Sequence, residues 1–382
     1  MVETFFASCP RGLETLLAED LVAAGGRDLK QISGGVHFIA EWPDCYRANL
    51  HSRIATRILC RVAQAGYDKE EDIYRLALDT PWPKWFVPEQ TIRVDVNAVK
   101  SPLKSIDFVT LRIKDAICDR FRRDFGRRPS VDTRQPDVRV QGFISSDECT
   151  LYLDTSGAPL YQRGFRQKTV EAPLRENLAA GILRLSGWQP GIALLDPMCG
   201  SGTFLAEAAQ MALGVAPGSR RDFAFQRLRH FDPTAWKKLH DAAQATEKPL
   251  AKAGIFGSDI SPVAVRATLA NLDRAGLLPA VTLGTGDLLE IDAPAASGIM
   301  VSNPPYGERV SSEDELAAFY PLLGHALKRR FAGWQCYLIS ADTRLPKMVR
   351  LTPSKKTPLF NGALECRLYE FKMVAGSNRG SR

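Results

Sequence analysis

The sequence lacks any closely spaced pair of cysteines, although it contains eight cysteines among its 382 residues. The nearest two, Cys45 and Cys60, are fifteen positions apart, so there is no C-x-x-C motif. Zinc sites and small disulfide frameworks normally use such short spacings, and the sequence argues against both. We therefore expect buried, unpaired thiols in a reducing compartment, and no metal site.

Long apolar runs are also absent. No segment approaches the ~20 apolar residues of a membrane span, and Glu3 stands where a signal peptide would carry positive charge. The sequence therefore predicts a cytoplasmic protein. A composition of 45% hydrophobic and 24% charged residues is typical of folded domains. The 50 basic and 43 acidic residues give a net charge of +7, which permits a polyanionic partner without identifying one.

Two patterns of secondary structure divide the sequence near residue 165. In the first part we expect helices over 12–24, 45–63 and 109–125, and strands over 35–39, 92–96, 138–144 and 149–153. After residue 165, short apolar strands alternate with helices. These strands are expected at 192–195, 254–258, 281–284 and 298–302. The alternation predicts an α/β fold with a doubly wound, mostly parallel sheet.

The segment 195–203 reads LDPMCGSGT; it follows an apolar strand and opens a helix. Its two glycines let the backbone approach a ligand, and the helix N-terminus offers free N–H groups. A dinucleotide fingerprint would need a third glycine where Leu205 stands, and a P-loop would need a lysine. The remaining interpretation is a loop that binds S-adenosylmethionine (SAM). The cofactor-binding residues expected here are Asp196, Pro197, Cys199, Gly200, Ser201, Gly202 and Thr203.

Two acidic residues follow the next two strands. Asp259, with Ile260 beside it, is expected to accept hydrogen bonds from the ribose hydroxyls of the cofactor. Asp287, with Leu288, is expected to accept the adenine amine. Each carboxylate alone is a weak signal, because helix caps and turns use the same residue. The spacing of Asp259 from the glycine loop favours the cofactor.

The fourth strand ends in Asn303, Pro304, Pro305 and Tyr306. Two prolines fix the backbone and remove donors, so the loop presents carbonyl oxygens and the Asn303 amide. If Asn303 Oδ1 and the Pro304 carbonyl accepted both hydrogens of an exocyclic base amine, the nitrogen lone pair would be localised for attack on the SAM methyl group. Tyr306 offers a flat face for a base removed from its stack. Enzymes acting on adenine N6, cytosine N4 and guanine N2 share this motif, so the base stays open.

A basic helix is expected before residue 130. Between residues 100 and 140 there are 11 basic and 6 acidic residues, a local charge of +5. The functional interpretation is a helix that faces RNA phosphates, and the alternative is an ordinary solvated helix face. The candidate RNA-binding residues are Arg112, Lys114, Arg122, Arg123, Arg127 and Arg128.

Taken together, these segments resemble the THUMP-domain RNA methyltransferases, especially the N-terminal half of the bifunctional enzymes that make N2-methylguanosine in 23S rRNA. The matching segments include 11–14, 34–38, 172–174, 196–203 and 303–309. The resemblance implies a ferredoxin-like domain over 1–65, a THUMP RNA-binding domain over 66–165, a Rossmann-like methyltransferase domain over 166–374 and a disordered tail over 375–382. It also implies that Pro173 lines the SAM pocket and that Glu308 and Arg309 favour guanine N2.

The resemblance thus implies a SAM-dependent rRNA (guanine-N2-)-methyltransferase whose partner is 23S rRNA or a large-subunit precursor. The second methyltransferase half of the bifunctional enzymes has no counterpart here, so only this activity is expected. One alternative is a DNA adenine-N6 methyltransferase, a label that some relatives carry, but such an enzyme would need a target-recognition domain. Another is a non-catalytic RNA-binding assembly factor, against which the intact glycine loop and Asn303-Pro304-Pro305-Tyr306 argue.

Overall fold

The computed structural model describes residues 2–164, 174–305 and 313–374. The chain forms two compact units, and each is built from three separate segments. The first unit contains Met1–Cys9, Leu17–Leu160 and Arg220–Asp241, and the second contains Pro10–Leu16, Tyr161–Ser219 and Ala242–Arg382. The expected domain limits at 65, 165 and 374 stay a prediction, and the expected tail lies outside the described residues.

The first unit contains seven strands: β1 Val2–Ser8, β2 Arg27–Ile32, β3 Gly35–Glu41, β4 Arg57–Gly66, β5 Ile92–Ala98, β6 Val138–Ile144 and β7 Glu148–Asp154. Its helices are α2 Trp42–His51, α3 Glu70–Asp79 and α4 Ile106–Phe125. Two helices contain residues of both units, namely α1 Glu14–Ala23 and α7 Pro233–Ala245.

The strands of the second unit are β8 Leu194–Asp196, β9 Ile255–Asp259, β10 Val281–Thr285, β11 Gly298–Ser302, β12 Trp334–Ser340, β13 Lys355–Asn361 and β14 Leu364–Lys372. Its helices are α5 Glu176–Leu185, α6 Thr203–Ala212, α8 Pro262–Arg274, α9 Glu313–Arg330 and α10 Leu345–Met348.

The sheet of the first unit has the strand order β2-β3-β1-β4-β7-β6-β5. Neighbours are antiparallel except for β5 and β6, which are parallel. One face is apolar: Phe5 pairs with Phe38 on one side and Cys60 on the other, and all three are buried. Helices α2, α3 and α4 pack against strands of this sheet. Because side chains alternate along a strand, the residues next to Phe5, Phe38 and Cys60 in each strand lie on the opposite face.

The segment 220–241 completes the core of the first unit. Phe225 is fully buried and stacks on Tyr46 with ring centroids 4.5 Å apart. The N–H of Arg229 donates a hydrogen bond to the carbonyl of Trp85 at 2.9 Å. This unit therefore depends on residues that follow the glycine loop in sequence.

Helix α4 confirms the expected helix over 109–125 and starts three residues earlier. Its N-terminus is capped by Ser105, whose Oγ accepts a backbone N–H of the first turn. Three positions of the expected apolar stripe are buried: Ile113, Ile117 and Phe121. The fourth position, Phe125, is the last residue of the helix and is 48% exposed.

The expected helix over 45–63 is confirmed only as far as His51, where α2 ends; beyond it the prediction is wrong, because the chain enters β4 within this range. Asp20 accepts a hydrogen bond from Ser52 Oγ at 2.8 Å and another from the N–H of Arg53 at 3.1 Å. If α2 continued, the N–H of Arg53 would donate to a carbonyl of the preceding helical turn. It donates instead to a carboxylate more than thirty positions earlier, and the helix ends here.

The sheet of the second unit has the order β10-β9-β8-β11-β12-β14-β13. The first five strands are parallel, and β14 runs antiparallel between β12 and β13. The predicted doubly wound, Rossmann-like fold is confirmed, and the four expected strands correspond to β8, β9, β10 and β11. The core includes Leu195, Met300, Tyr320, Trp334 and Phe371.

All eight cysteines are buried and unpaired, as predicted. Burial raises the pKa of Cys45 and of Cys149 to about 12, so these thiols stay protonated. Within the described ranges, no helix is long and apolar enough to cross a membrane. The same residues contain no group of three or more His, Cys, Asp or Glu side chains that could hold a metal ion.

Candidate active site

The sheet order of the second unit creates a ligand crevice at the ends of β8 and β11. Strand β8 lies between β9 and β11. The chain runs outward from β8 to β9 and β10, and then crosses back to β11 on the other side of β8. In open parallel sheets, ligands bind outside the carboxyl ends of the strands at such a point. The fold therefore brings together the glycine loop and Asn303, which are about 100 positions apart in the sequence.

Two positions of the loop after β8 require glycine. Gly200 has φ 56° and Gly202 has φ 79°, both in the left-handed region. A Cβ on Gly202 would also lie 2.6 Å from Thr268 Cγ2. Thr268 Oγ1 donates a hydrogen bond to the Gly200 carbonyl at 2.8 Å, and Asn271 Nδ2 donates one to the Ser201 carbonyl at 3.0 Å. Helix α8 thus fixes the loop through two residues that the sequence analysis missed, since no motif spacing links them to it.

Asp259 joins the glycine loop to the end of β9. Its Oδ2 accepts the N–H of Gly200 and its Oδ1 accepts the N–H of Ser261, each at 2.9 Å. Each oxygen keeps a further lone pair, so the carboxylate can still accept ribose hydroxyls. Ile260 is 67% exposed, an unusual state for isoleucine that a flat apolar ligand would relieve. The Ser258 Oγ is buried and has no hydrogen-bond partner within the described part of the chain.

Asp287 and Leu288 have local roles in the structure. Asp287 Oδ1 accepts the N–H of Leu289 at 2.9 Å, which is the turn contact that the sequence left open as an alternative. Leu288 is buried in the core with Leu195. Contact of these two residues with the cofactor stays a prediction, and Leu288 has almost no exposed surface with which to make it.

The other expected cofactor residues around the loop are buried, namely Asp196, Pro197, Cys199, Ser201 and Thr203. We therefore expect the loop to meet a ligand mainly through backbone N–H groups. Burial raises the pKa of the Cys199 thiol well above its usual range, so this cysteine does not act as a thiolate. Asp196 also contacts Ser302 at the end of β11, which links the two loops of the crevice.

The loop after β11 presents an unused acceptor. Asn303 Oδ1 is buried and has no hydrogen-bond partner among the residues that the structure describes. An unpaired buried acceptor costs about 1–3 kcal/mol, so this position favours a ligand with a donor. Pro304 is buried, and the Pro305 carbonyl accepts a hydrogen bond from Tyr320 Oη at 2.7 Å. The predicted site residues Pro173 and Tyr306 lie outside the described residues, as do Glu308 and Arg309.

Tyr320 was missed by the sequence analysis. It lies in α9 and is fully buried, and its hydroxyl holds the loop fifteen positions earlier. No spacing rule connects a helical tyrosine to a preceding proline loop, so only the structure reveals the contact.

A buried ion pair supports the helix that the glycine loop opens. Arg163 Nε donates to Glu207 Oε1 at 3.0 Å, and the two side chains are 1% and 0% exposed. Glu207 is the single charged residue of α6, and this isolated charge was the signal available in the sequence. The pair fixes the chain at Arg163 against the cofactor-loop helix.

The basic helix α4 carries side chains that are mostly neutralised. Its region forms the ion pairs Arg112–Glu71, Lys114–Asp115, Arg122–Asp119, Arg123–Asp124 and Arg127–Glu89. The remaining candidate, Arg128, contacts the Cys118 thiol. Glu71 and Glu89 precede the window in which the local charge was counted, so the count overstated the free charge. RNA binding by this helix stays a prediction.

These features fit SAM. Left-handed glycines after β8, a carboxylate with spare lone pairs after β9 and an exposed isoleucine beside it suit the nucleoside part of this cofactor. Asn303 Oδ1 after β11, which has no hydrogen-bond partner in the described ranges, suits the amine that receives a methyl group. The fold and the crevice define a Rossmann-like, SAM-dependent methyltransferase.

The chain belongs to the family described as RMKL-like methyltransferases, whose profile matches residues 163–370. Profiles of the THUMP domain and of the RlmL ferredoxin-like domain match residues 67–154 and 4–59. The ribosomal RNA large subunit methyltransferase K/L of Shewanella frigidimarina is 38% identical over 98% of this chain. This chain spans only 53% of that relative, about half its length. The expected relation to THUMP-domain RNA methyltransferases is confirmed.

Two further similarities extend over nearly all of both chains. A protein of Synechocystis named "Putative RNA methyltransferase slr0064" is 36% identical over 97% of this chain and 96% of its own length. The crystal structure described as "SMU.472, a putative methyltransferase complexed with SAH" matches with a TM-score of 0.89 and 27% identity. It covers 97% of this chain and 98% of that one. SAH, S-adenosylhomocysteine, is the product that SAM leaves after methyl transfer.

Proposed function

We propose that this protein transfers the methyl group of SAM to the exocyclic N2 amine of a guanine in 23S rRNA or its large-subunit precursor. The observation that carries the proposal is the buried Asn303 Oδ1 at the carboxyl end of β11, which no described residue contacts through a hydrogen bond. It is an acceptor on the strand next to the one that leads into the cofactor loop. A location in the cytoplasm follows from an rRNA substrate.

The chain's own residues prepare the amine for reaction. A guanine removed from its stack places its N2 amine at Asn303 Oδ1, and the Pro304 carbonyl accepts the second N–H. Accepting both hydrogens localises the lone pair on nitrogen. Bound SAM supplies an electrophilic methyl group on its sulfonium. The nitrogen loses its proton after it has become cationic, so no strong base is required, and Tyr306 stacks on the base.

The remaining residues hold the cofactor. Backbone N–H groups around Gly200 and Gly202 approach it without side-chain overlap, and Asp259 accepts its ribose hydroxyls. Ile260 covers the adenine ring, and Asp287 accepts the adenine amine. Pro173 lines the same pocket by its likeness to the family.

The substrate assignment rests on the family. The Shewanella relative is named for the large-subunit rRNA, and a THUMP domain matches residues 67–154. The choice of guanine N2 over adenine N6 rests on Glu308 and Arg309, which extend the catalytic loop in the form of the N2-methylguanosine enzymes.

The test incubates the full chain with labelled SAM and, separately, protein-free 23S rRNA, large-subunit precursor particles and duplex DNA. Each product is digested, and the methylated nucleoside is identified by mass spectrometry. We expect N2-methylguanosine from an RNA substrate and no product from the Asn303→Ala variant. N6-methyladenine from DNA would overturn the assignment of base and substrate. SAM binding without product on any substrate would favour a non-catalytic assembly factor.

A further inference from the structure

The two faces of the first unit's sheet differ in chemistry. The register places Phe6 beside His37, Arg61 beside Tyr152 and Arg93 beside Arg139. Because side chains alternate along each strand, these residues lie on the face opposite Phe5 and Phe38. Tyr152 is buried, whereas the other five are partly exposed. We call this the basic face; its basic and aromatic residues include Phe6, Arg57, Arg61, Arg93, Arg139 and Phe143.

Exposure and protonation on the basic face suit stacking contacts. Phe143 is 41% exposed, and it lies four residues after Arg139 on the same strand and face. Four residues of strand span about 13 Å. Burial lowers the pKa of His37, and the nearby Arg61 and Lys30 lower it further, so the ring beside Phe6 stays neutral near pH 7. The face therefore combines uncharged rings with guanidinium groups, three of which pair with the carboxylates Asp95 and Asp154.

A pocket of about 350 Å³ shares Arg57 and Arg139 with the basic face. Its charged lining consists of Arg57, Arg134, Arg139, Arg227, Asp137 and Asp222, four positive and two negative groups. Arg57 is oriented by Asp154 and the Gly157 carbonyl, and Arg139 by Asp95. Arg227 pairs with Asp137 at 3.3 Å.

Among the four arginines of this pocket, Arg134 is the one that pairs with no described carboxylate. Its side chain is exposed and has no carboxylate partner among the residues that the structure describes. The guanidinium fork binds phosphate oxygens in a bidentate manner. Arg57 and Arg139 are held by their carboxylate partners, whereas Arg227 is half exposed and meets Asp137 through Nη1 alone, so its other N–H groups face no described carboxylate. A phosphate here would meet preorganised donors and an excess of positive charge.

We propose that the pocket and the basic face bind a single-stranded segment of the RNA substrate, with phosphates at Arg134 and Arg227 and a base on Phe143. This inference rests on the proposed RNA substrate. Single strands fit better than duplexes because their bases can stack on exposed aromatic rings, whereas duplex bases are covered. On this proposal the pocket contributes more to RNA binding than α4. The pocket contains Arg134, which pairs with no described carboxylate, whereas Arg112, Arg122 and Arg123 of α4 are each paired with one.

The test of the phosphate contacts is a charge reversal. Arg134→Glu with Arg227→Glu is compared with Lys237→Glu with Lys238→Glu, an exposed pair on α7 that changes the net charge equally. Binding of a fluorescent single-stranded 23S rRNA fragment to the full chain is measured by anisotropy between 50 and 300 mM salt, without SAM.

We expect the pocket variant to bind about tenfold more weakly at 100 mM salt. Its salt slope should fall by about 1.4, which is two phosphate contacts at about 0.7 each. The α7 variant should keep the wild-type slope. Equal behaviour of the two variants would overturn the proposal, as would a larger loss from Arg122→Glu with Arg123→Glu on α4. Arg134→Glu alone, which breaks no ion pair, should still weaken binding, and thermal unfolding checks that each variant folds.

The test of stacking replaces one exposed ring at a time. Phe143→Ala should weaken binding about fivefold or more, whereas Phe108→Ala, a ring of similar exposure on α4, should not. The Phe143→Ala loss should vanish with an RNA fragment that lacks bases. Equal losses for the two variants, or the same loss on duplex RNA, would overturn the single-strand assignment. These assays need no methyl transfer, so the wrong methylated nucleoside would refute the proposed function and leave this result standing.

Discussion

Ser302 donates a hydrogen bond from Oγ to Asp196 Oδ1 across 3.1 Å, joining the end of β11 to the end of β8. The same oxygen accepts the N–H of Met198 at 3.3 Å. Burial raises the pKa of Asp196 to about 7, against the smaller opposing effect of these two hydrogen bonds. One buried carboxyl therefore links the glycine loop after β8 to the loop after β11, and its protonation state affects the hydrogen bonds to both.

Asp196→Asn should change how stability depends on pH. Between its unfolded pKa of 3.8 and its folded pKa of about 7, the folded wild type holds a proton that the unfolded chain has lost. Wild-type stability should therefore fall as pH rises through this window and stay lower above it. The asparagine keeps Oδ1 as acceptor and has no charge to bury. Between pH 4 and pH 8, we expect the free energy of unfolding of the asparagine variant to rise relative to that of the wild type by up to about 4 kcal/mol.

Urea unfolding at several pH values measures this difference. Ser302→Ala is the companion variant, because it removes a donor to the ionised carboxyl and should lower stability more at pH 8 than at pH 4. A pH-independent difference between wild type and Asp196→Asn would show that Asp196 is ionised throughout.

Asn303→Ala should separate activity from stability. We expect methyl transfer to fall about 100-fold or more, because the acceptor for the substrate amine is lost. SAM affinity by calorimetry should not change. The free energy of unfolding should fall less than in Asn271→Ala, because Asn271 makes a buried hydrogen bond to the Ser201 carbonyl and Asn303 Oδ1 makes none within the described residues. Wild-type transfer rates in Asn303→Ala would remove this residue from the chemistry.

Gly202→Ala should damage the cofactor loop. The substitution forces alanine into a left-handed backbone and against Thr268, 2.6 Å away. We expect at least tenfold weaker SAM binding and a loss of about 2–4 kcal/mol in stability. Gly187→Ala is the matched control, because Gly187 has φ 74° but no described atom within 4 Å of its added Cβ. Gly187→Ala should lower the free energy of unfolding by about 1 kcal/mol and leave SAM affinity unchanged. Equal SAM affinities in the Gly202→Ala and Gly187→Ala variants would refute the steric argument.

Asp259→Ala should weaken SAM affinity about tenfold, because it removes the proposed ribose acceptor and frees the N–H of Gly200. Asp273→Ala changes the same residue type at an exposed position of α8 and should leave the affinity intact. Calorimetric titration with SAM distinguishes them. If Asp259→Ala bound SAM as tightly as Asp273→Ala, Asp259 would have no part in the site.

The sequence predicted the parts of the site that depend on local chemistry. Strand β11 has the expected bounds, and Gly200 and Gly202 have the backbone angles that only glycine adopts freely. Contacts between residues far apart in the sequence could not be predicted. Asp20 ends α2 from more than thirty positions away, and Glu71 neutralises Arg112 from a different helix. Local periodicity and charge counts contain no information on such partners.

Because the first unit consists of three segments of the chain, it can complete its fold only late in translation. Because residues 220–241 complete the core around Tyr46 and Phe225, that unit cannot close when residue 160 has been translated. At about 5–20 residues per second, the ribosome needs roughly 4–16 s more to reach residue 241. During this interval the nascent chain already contains the glycine loop of the second unit. The sheet of the first unit therefore gains its last core residues only after the glycine loop of the second unit has been translated.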